Sequence, residues 1–234
     1  MDKTSLYKIL SSLCLLLGLS IVLYYSGRFT NSKTNNKKTE LITNTNNPYI
    51  MVLGTAQDGG FPQAGCKKKC CSEAWKNKEL SKKISSLAII DPESKEQWII
   101  DATPDIKEQL NDLQNQTHLT RLDGIFLTHA HIGHYLGLAQ LGREVLGMKD
   151  LPVFCMKRMY NFLSKNGPWD QLVKLQNIKL NKIFHNKKIV LNDRLSITPF
   201  LVPHRDEYSE TVGYEISSKT KKIIFIPDID KWNL

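Results

Sequence analysis

The stretch that most constrains this chain is an apolar strand running straight into a histidine cluster. Gly124–Thr128 reads as a buried strand. His129 and His131 follow at once, and His134 comes three residues later. Leu138, Leu141 and Val145 then recur at helical spacing, which predicts a helix over 134–146. A strand end sets imidazoles at the rim of a cleft, and a tight turn aims two of them at one point. Neutral imidazole is a good zinc donor and also suits iron and copper. The competing reading is three unconnected surface histidines, but the chain holds only 6 histidines in 234 residues. The cluster therefore reads as metal ligands.

Further ligands are sought near other strand ends. His204 lies between two predicted strands in LVPHRDEYSETVGYEI. Asp228 ends the apolar run IIFIPDID, with Asp230 beside it. An acid at the end of a buried strand is costly unless it is paired or ligating. His118 and His185 sit in polar contexts and read as surface residues. Three thiols in AGCKKKCCSEAW, Cys66, Cys70 and Cys71, suggest a structural zinc site needing one more ligand. Disulfide chemistry is the alternative there if the domain is exported. Cys155, in an apolar strand, reads as a core thiol.

Predicted strands are Tyr49–Leu53, Ser86–Asp91, Gln97–Ile100 (leading into Asp101), Gly124–Thr128, Pro152–Cys155, Ile183–Phe184, Lys188–Leu191, Ser196–Leu201, Thr211–Ser217 and Lys222–Ile226. Helical spacing marks Pro104–Leu113, and Lys157–Ser164 and Trp169–Gln176 look helical or irregular. Strands dominate and helices intervene early, so the fold class is α/β, with sheets covered by helices. The folded domain is expected over 48–234.

Ahead of it, residues 1–28 contain the uncharged run Ile9–Tyr25, preceded by Lys3 and Lys8, a pattern of a signal-anchor or a signal peptide. Residues 29–47 are rich in Asn, Thr, Ser and Lys and read as a flexible polar linker. A membrane-anchored or exported domain follows as the expectation, periplasmic or extracytoplasmic in a bacterium, with the membrane a partner through this segment. The net charge is +9. A solvated lysine-rich surface is the simpler account, and a small anionic substrate or an anionic membrane surface is the alternative. No basic motif interleaved with aromatics suggests nucleic acid.

THAHIGH, Thr128–His134, resembles the HxHxDH signature of the metallo-β-lactamase superfamily. LGTAQDGGFPQAGC, IDATPDI, THAHIGHYLGL and SETVGYE resemble its coenzyme-PQQ biosynthesis protein B group in particular. The likeness spans roughly Tyr49 to Trp232. It implies an αββα two-sheet sandwich, His204 as a further metal ligand, Asp228 as a metal-bridging carboxylate, and Asp101 as a hydrogen-bonding support for the histidine loop. It also implies a zinc site at the cysteines. Two departures stand out. Gly133 replaces the acid that binds a second metal. A last histidine would follow the bridging acid, but Leu234 lies six residues past Asp228. The sequence is accordingly expected to be truncated, with the last elements missing.

The expected function is a metal-dependent hydrolase, in which metal-activated water attacks an ester or phosphodiester-type bond. His129, His131 and His204 hold the ion, while Asp228 and His134 act on protons or contact a second ion. One zinc is expected at the active site rather than two, with iron as the other metal. A carboxylate at position 133, as in Gly133→Asp, is expected to strengthen a second metal. The alternatives are an Fe(II)-dependent oxidative enzyme and an inactive, truncated metal-binding module.

Overall fold

A computed structural model describes residues 46–232. The apolar run Ile9–Tyr25 and the linker up to Thr45 lie outside these residues. Among the described residues no helix is long and apolar enough to cross a membrane.

Two sheets form the frame. The first has six strands in sequence order: β1 (Tyr49–Gly54), β2 (Ser86–Asp91), β3 (Glu96–Ile100), β4 (Gly124–Phe126), β5 (Leu151–Cys155) and β6 (Ile178–Lys182). β1, β2 and β3 pair antiparallel, and β3 through β6 run parallel. The second sheet is antiparallel, in the order β10 (Lys222–Phe225), β9 (Val212–Ser218), β8 (Leu195–Leu201), β7 (Ile189–Val190). The helices are α1 (Lys69–Lys76), α2 (Ile106–Thr117), α3 (Ile132–Tyr135), α4 (Lys157–Lys165) and α5 (Trp169–Lys174).

Strand periodicity explains the layers. Successive side chains point to opposite faces of a sheet. In β2, Ala88 and Ile90 face a core shared with Ile106 and Leu113 of α2, Leu163 of α4 and Leu172 of α5. Leu87 and Ile89 face the other way, onto Leu195, Ile197, Val212, Tyr214 and Ile216 of the second sheet. The central strands are apolar without alternation because both faces are covered. Each fully buried Ile or Leu contributes about 1.5–3 kcal/mol of transfer free energy. The architecture is therefore mixed α/β with two sheets and helices against the outer face of the first.

Two expected elements differ. The helix over 134–146 is only the short α3 followed by a 3-10 segment, Leu136–Leu141, and turns. The Gly137 N–H donates to the Ala102 carbonyl at 2.9 Å, and a Cβ at Gly137 would lie 2.1 Å from the Thr103 carbonyl oxygen. That close backbone approach to the loop after β3 overrides the helical spacing. The strand expected at Ile183–Phe184 is instead β6, Ile178–Lys182. Ile183 keeps one backbone bond to Cys155, but Phe184 turns to solvent.

The sheets are joined at the histidine loop. The Tyr214 hydroxyl of β9 donates to the Leu127 carbonyl at 2.6 Å, and the Val212 N–H donates to the Thr128 carbonyl at 3.2 Å. Tyr214 is fully buried. Tyr214→Phe leaves the Leu127 carbonyl without this donor and should destabilise the chain by about 1–3 kcal/mol. Urea unfolding of the two proteins checks this.

Candidate metal centre

The site gathers at strand ends. Asp58 follows β1, Asp101 follows β3, Thr128 and His129 follow β4, His204 follows β8 and Asp228 follows β10. Two groups of ligand atoms converge, each within 4.8 Å: His129, His131, His204 and Asp228, and Asp58, His134 and Asp228. Asp228 belongs to both.

Asp101 organises the histidine loop. It is fully buried and sits at φ +68, a left-handed conformation uncommon for a residue with a Cβ. Strain of this kind persists where surroundings over-determine it. Here its carboxylate accepts the Thr128 N–H at 2.8 Å and the Thr128 hydroxyl at 2.9 Å, and pairs with His134 Nδ1 at 2.7 Å. Thr128 Oγ1 also meets His129 Nδ1 at 3.0 Å. The hydroxyl proton is committed to Asp101, so the network assigns the His129 proton to Nδ1 and a lone pair to Nε2.

The same logic runs through the other imidazoles. His131 Nε2 meets the exposed Glu207 carboxylate at 3.0 Å, and His204 Nδ1 meets Asp230 at 2.8 Å. Each of His129, His131 and His204 thus has its outer nitrogen held by an oxygen acceptor, which aims the inner lone pair into the site. The inner atoms then crowd one another. His129 Nε2 lies 2.9 Å from His131 Nδ1, His204 Nε2 lies 3.2 Å from His131 Nδ1, and Asp228 Oδ2 lies 3.4 Å from His129 Nε2 and 3.7 Å from His204 Nε2. Acceptors this close, with no donor among them, repel unless a cation sits between them. A tetrahedral ion with bonds near 2.0–2.1 Å separates its ligands by about 3.3 Å, and these distances bracket that spacing. The donor set fits a metal ion.

Electrostatics point the same way. Burial pushes His129 below its ordinary value, against the opposing pull of Asp228, and so keeps it neutral and able to ligate. His134 goes the other way. Burial opposes its charge, yet the carboxylates of Asp101, Asp228 and Asp58 outweigh burial and push it up to about 12. The neighbouring His129 and His134 imidazoles hold Asp228 far below the usual carboxylate range, and His134 lowers Asp58 likewise.

The sequence-predicted residues His129, His131, His204, Asp228, His134 and Asp101 are therefore all brought together. Asp58 was missed. It lies 3.0 Å from His134 Nε2, and its only sequence signal was a lone acid in the glycine-rich loop after β1. The expectation for Gly133→Asp also needs correction. A Cβ at Gly133 would lie 2.7 Å from the Asp58 Cα, so the backbone there has no room for it.

The cysteines stand apart from both groups. Cys66 hydrogen-bonds to Cys71, which lowers the Cys66 thiol and raises that of Cys71, and Cys70 also bonds to Cys71. Cys71 is buried and Cys70 is exposed. Among the described residues the three are not a set whose ligand atoms all lie within 4.8 Å. Burial pushes Cys155 up to about 12, as expected of a core thiol. His118 and His185 are exposed.

A beta-lactamase superfamily domain matches residues 97–233. The chain belongs to that superfamily. Coenzyme PQQ synthesis protein B of Methylorubrum extorquens (strain PA1) is 26% identical over 203 residues, covering 76% of this chain and 64% of that protein. The protein of the same name from Xanthomonas campestris pv. campestris (strain B100) is 25% identical with the same coverage. The crystal structure of Zn(2+)-bound PqqB from Methylobacterium extorquens superposes with a TM-score of 0.65 at 25% identity, covering 77% of this chain and 65% of that one. A diphosphatase of the PhnP family shares the fold, with a TM-score of 0.55 at 22% identity, over 73% of this chain and 62% of that one. The chain spans just under two thirds of the length of the curated relatives it matches. The resemblance read from the motifs is thus shown, and so is the two-sheet fold of the superfamily.

Two outcomes follow. Asp101→Asn puts an amide donor against groups that themselves donate, and should weaken metal binding by about 10–100-fold in a chelator competition. In the metal-stripped chain His134 has a raised folded-state value. Its stabilisation is full below its ordinary 6.5 and is lost as pH rises towards about 12. Denaturant unfolding over that range should show falling stability, and His134→Gln should remove that slope.

Proposed function

We propose that this chain is a metal-dependent hydrolase acting on an ester or phosphodiester-type bond, with the ion held by His129, His131 and His204 and with Asp228 beside it. The observation that carries the reading is the set of inward imidazole lone pairs, each fixed by an oxygen acceptor behind it, converging with the Asp228 carboxylate. A bound zinc would polarise the scissile group and lower the pKa of a bound water from 15.7 to about 7.

The chain's own residues do the remainder. Asp228 reaches His129, His134 and His204 and would help to hold the ion and orient the attacking water. With one ion bound, His134 holds a proton at Nε2 between Asp58 and Asp228, at 3.0 and 3.2 Å, and can pass it to a leaving oxygen. Asp58 also lines a cleft of about 740 Å³, bordered by Phe61, Trp75, Lys78 and Lys82. Its three lysines, Lys78, Lys82 and Lys83, are outnumbered by Asp58, Asp105, Glu108 and Asp112, so the cleft carries no net positive charge.

A second reading is an Fe(II)-dependent oxidative enzyme. It is favoured by the relatives named for coenzyme PQQ synthesis and by an imidazole set that also suits iron. Structural zinc at Cys66, Cys70 and Cys71, and anchoring or export through Ile9–Tyr25, belong to the same proposal and rest on sequence alone.

His131→Ala should empty the active-site ion and cut cleavage of bis(4-nitrophenyl) phosphate and 4-nitrophenyl acetate by about 100-fold or more, while cysteine-bound zinc is retained. Native iron with substrate-dependent oxygen uptake, and no ester or phosphodiester cleavage, would replace the hydrolase with the oxidative enzyme.

A further inference from the structure

Gly133 and Asp58 answer one another across the site. The glycine stands where the family pattern carries a carboxylate, and the loop after β1 fills the space it leaves. A Cβ at Gly133 would lie 2.7 Å from the Asp58 Cα, 2.8 Å from its Cγ and 2.8 Å from Oδ1. The first of these is a backbone atom, so the contact cannot be relieved by rotating a side chain. One carboxylate fits here, and it arrives from a different element.

The loop that delivers it is pinned. The Thr55 and Ala56 N–H groups both donate to the Lys83 carbonyl at 2.9 Å, and the Ser85 N–H donates to the Ala56 carbonyl at 2.8 Å. Gly54 permits this approach, since a Cβ there would lie 1.9 Å from the Ile84 carbonyl oxygen. The Ile84 N–H is itself held by Asp105 at 2.8 Å. Asp58 therefore reaches the centre on a braced backbone.

Its carboxylate meets two other acceptors. His134 Nδ1 is committed to Asp101, so Nε2, once a metal ion displaces its proton, presents a lone pair between Asp58 Oδ1 at 3.0 Å and Asp228 Oδ2 at 3.2 Å. These separations approach the 3.3 Å or so expected between ligands of a tetrahedral ion. Such a triangle holds together around a proton or around a cation. Asp228 Oδ2 already faces the first ligand set, which makes it a bridge.

We propose that Asp58 is a ligand of a second metal ion, shared with His134 and bridged by Asp228, and that it replaces in space the carboxylate that Gly133 lacks in sequence. The inference rests on the first ion at His129, His131 and His204, and it raises the count from one ion to a pair.

The test uses Mn(II) on the full chain. Manganese accepts carboxylate and imidazole donors, while thiolates favour softer metals, so the cysteines stay silent. Electron paramagnetic resonance of the wild type should show a spin-coupled pair. Asp58→Ala and the isosteric Asp58→Asn should show an isolated ion, with the second dissociation constant raised about tenfold or more. Thermal melting selects whichever variant is folded. The exchanged variant Asp58→Gly/Gly133→Asp should restore the coupled pair. An isolated ion in the wild type, or an unchanged pair and affinity in Asp58→Asn, overturns the proposal. Loss in Asp58→Asn without recovery in the exchanged variant keeps Asp58 as a ligand and overturns the exchange of positions. A coupled pair in a chain that cleaves neither ester nor phosphodiester leaves the site standing and removes the hydrolase reading.

Discussion

The buried carboxylate of Asp101 is the constraint on which the centre depends. It has no water to ionise into, so its charge must be met by the protein. The Thr128 N–H, the Thr128 hydroxyl and His134 meet it, and through Thr128 it fixes the ring of His129. A single group thus sets the turn after β4, the tautomers of two histidines and the direction of their lone pairs. The left-handed backbone at Asp101 is the conformational cost of placing that group immediately after β3.

Around this anchor the sheets divide the work. The first supplies Asp58, Asp101, His129, His131 and His134 from loops after its strands. The second supplies His204 and Asp228 from loops after β8 and β10. The Asp230 N–H donates to the Pro203 carbonyl at 2.8 Å, so the two second-sheet loops brace one another. The Ala130 N–H donates to Ser209 Oγ at 2.8 Å across the gap between the layers. Rigid strands with short ties place donor atoms that no one element could place alone.

What could be read in advance follows from the range of each interaction. The strand before His129, the strand that becomes β2 and the acids at strand ends are written in local sequence, and they were legible. The end of the helix after His134 was not. Its spacing continues to Val145, but a backbone contact between Gly137 and the loop at Ala102 decides the outcome. Glu207 behind His131 and Asp58 beside His134 were equally hidden, each 76 residues away in the chain from its partner. Residues that touch only after folding leave no periodicity to detect. Gly133 was visible as an absence, while the group that fills its space was not.

The distribution of ligands between the sheets has a thermodynamic consequence. In an unfolded chain the donors after β4 and those after β8 and β10 are far apart, and gathering them costs loop-closure entropy. The folded chain alone presents them together, so an ion that binds there acts as a rivet through both layers. Its binding free energy adds to the cohesion of the sandwich in proportion to RT ln(1 + [L]/Kd). Resistance to unfolding then becomes a function of free metal concentration, and the supply of metal around the protein sets how long the fold survives.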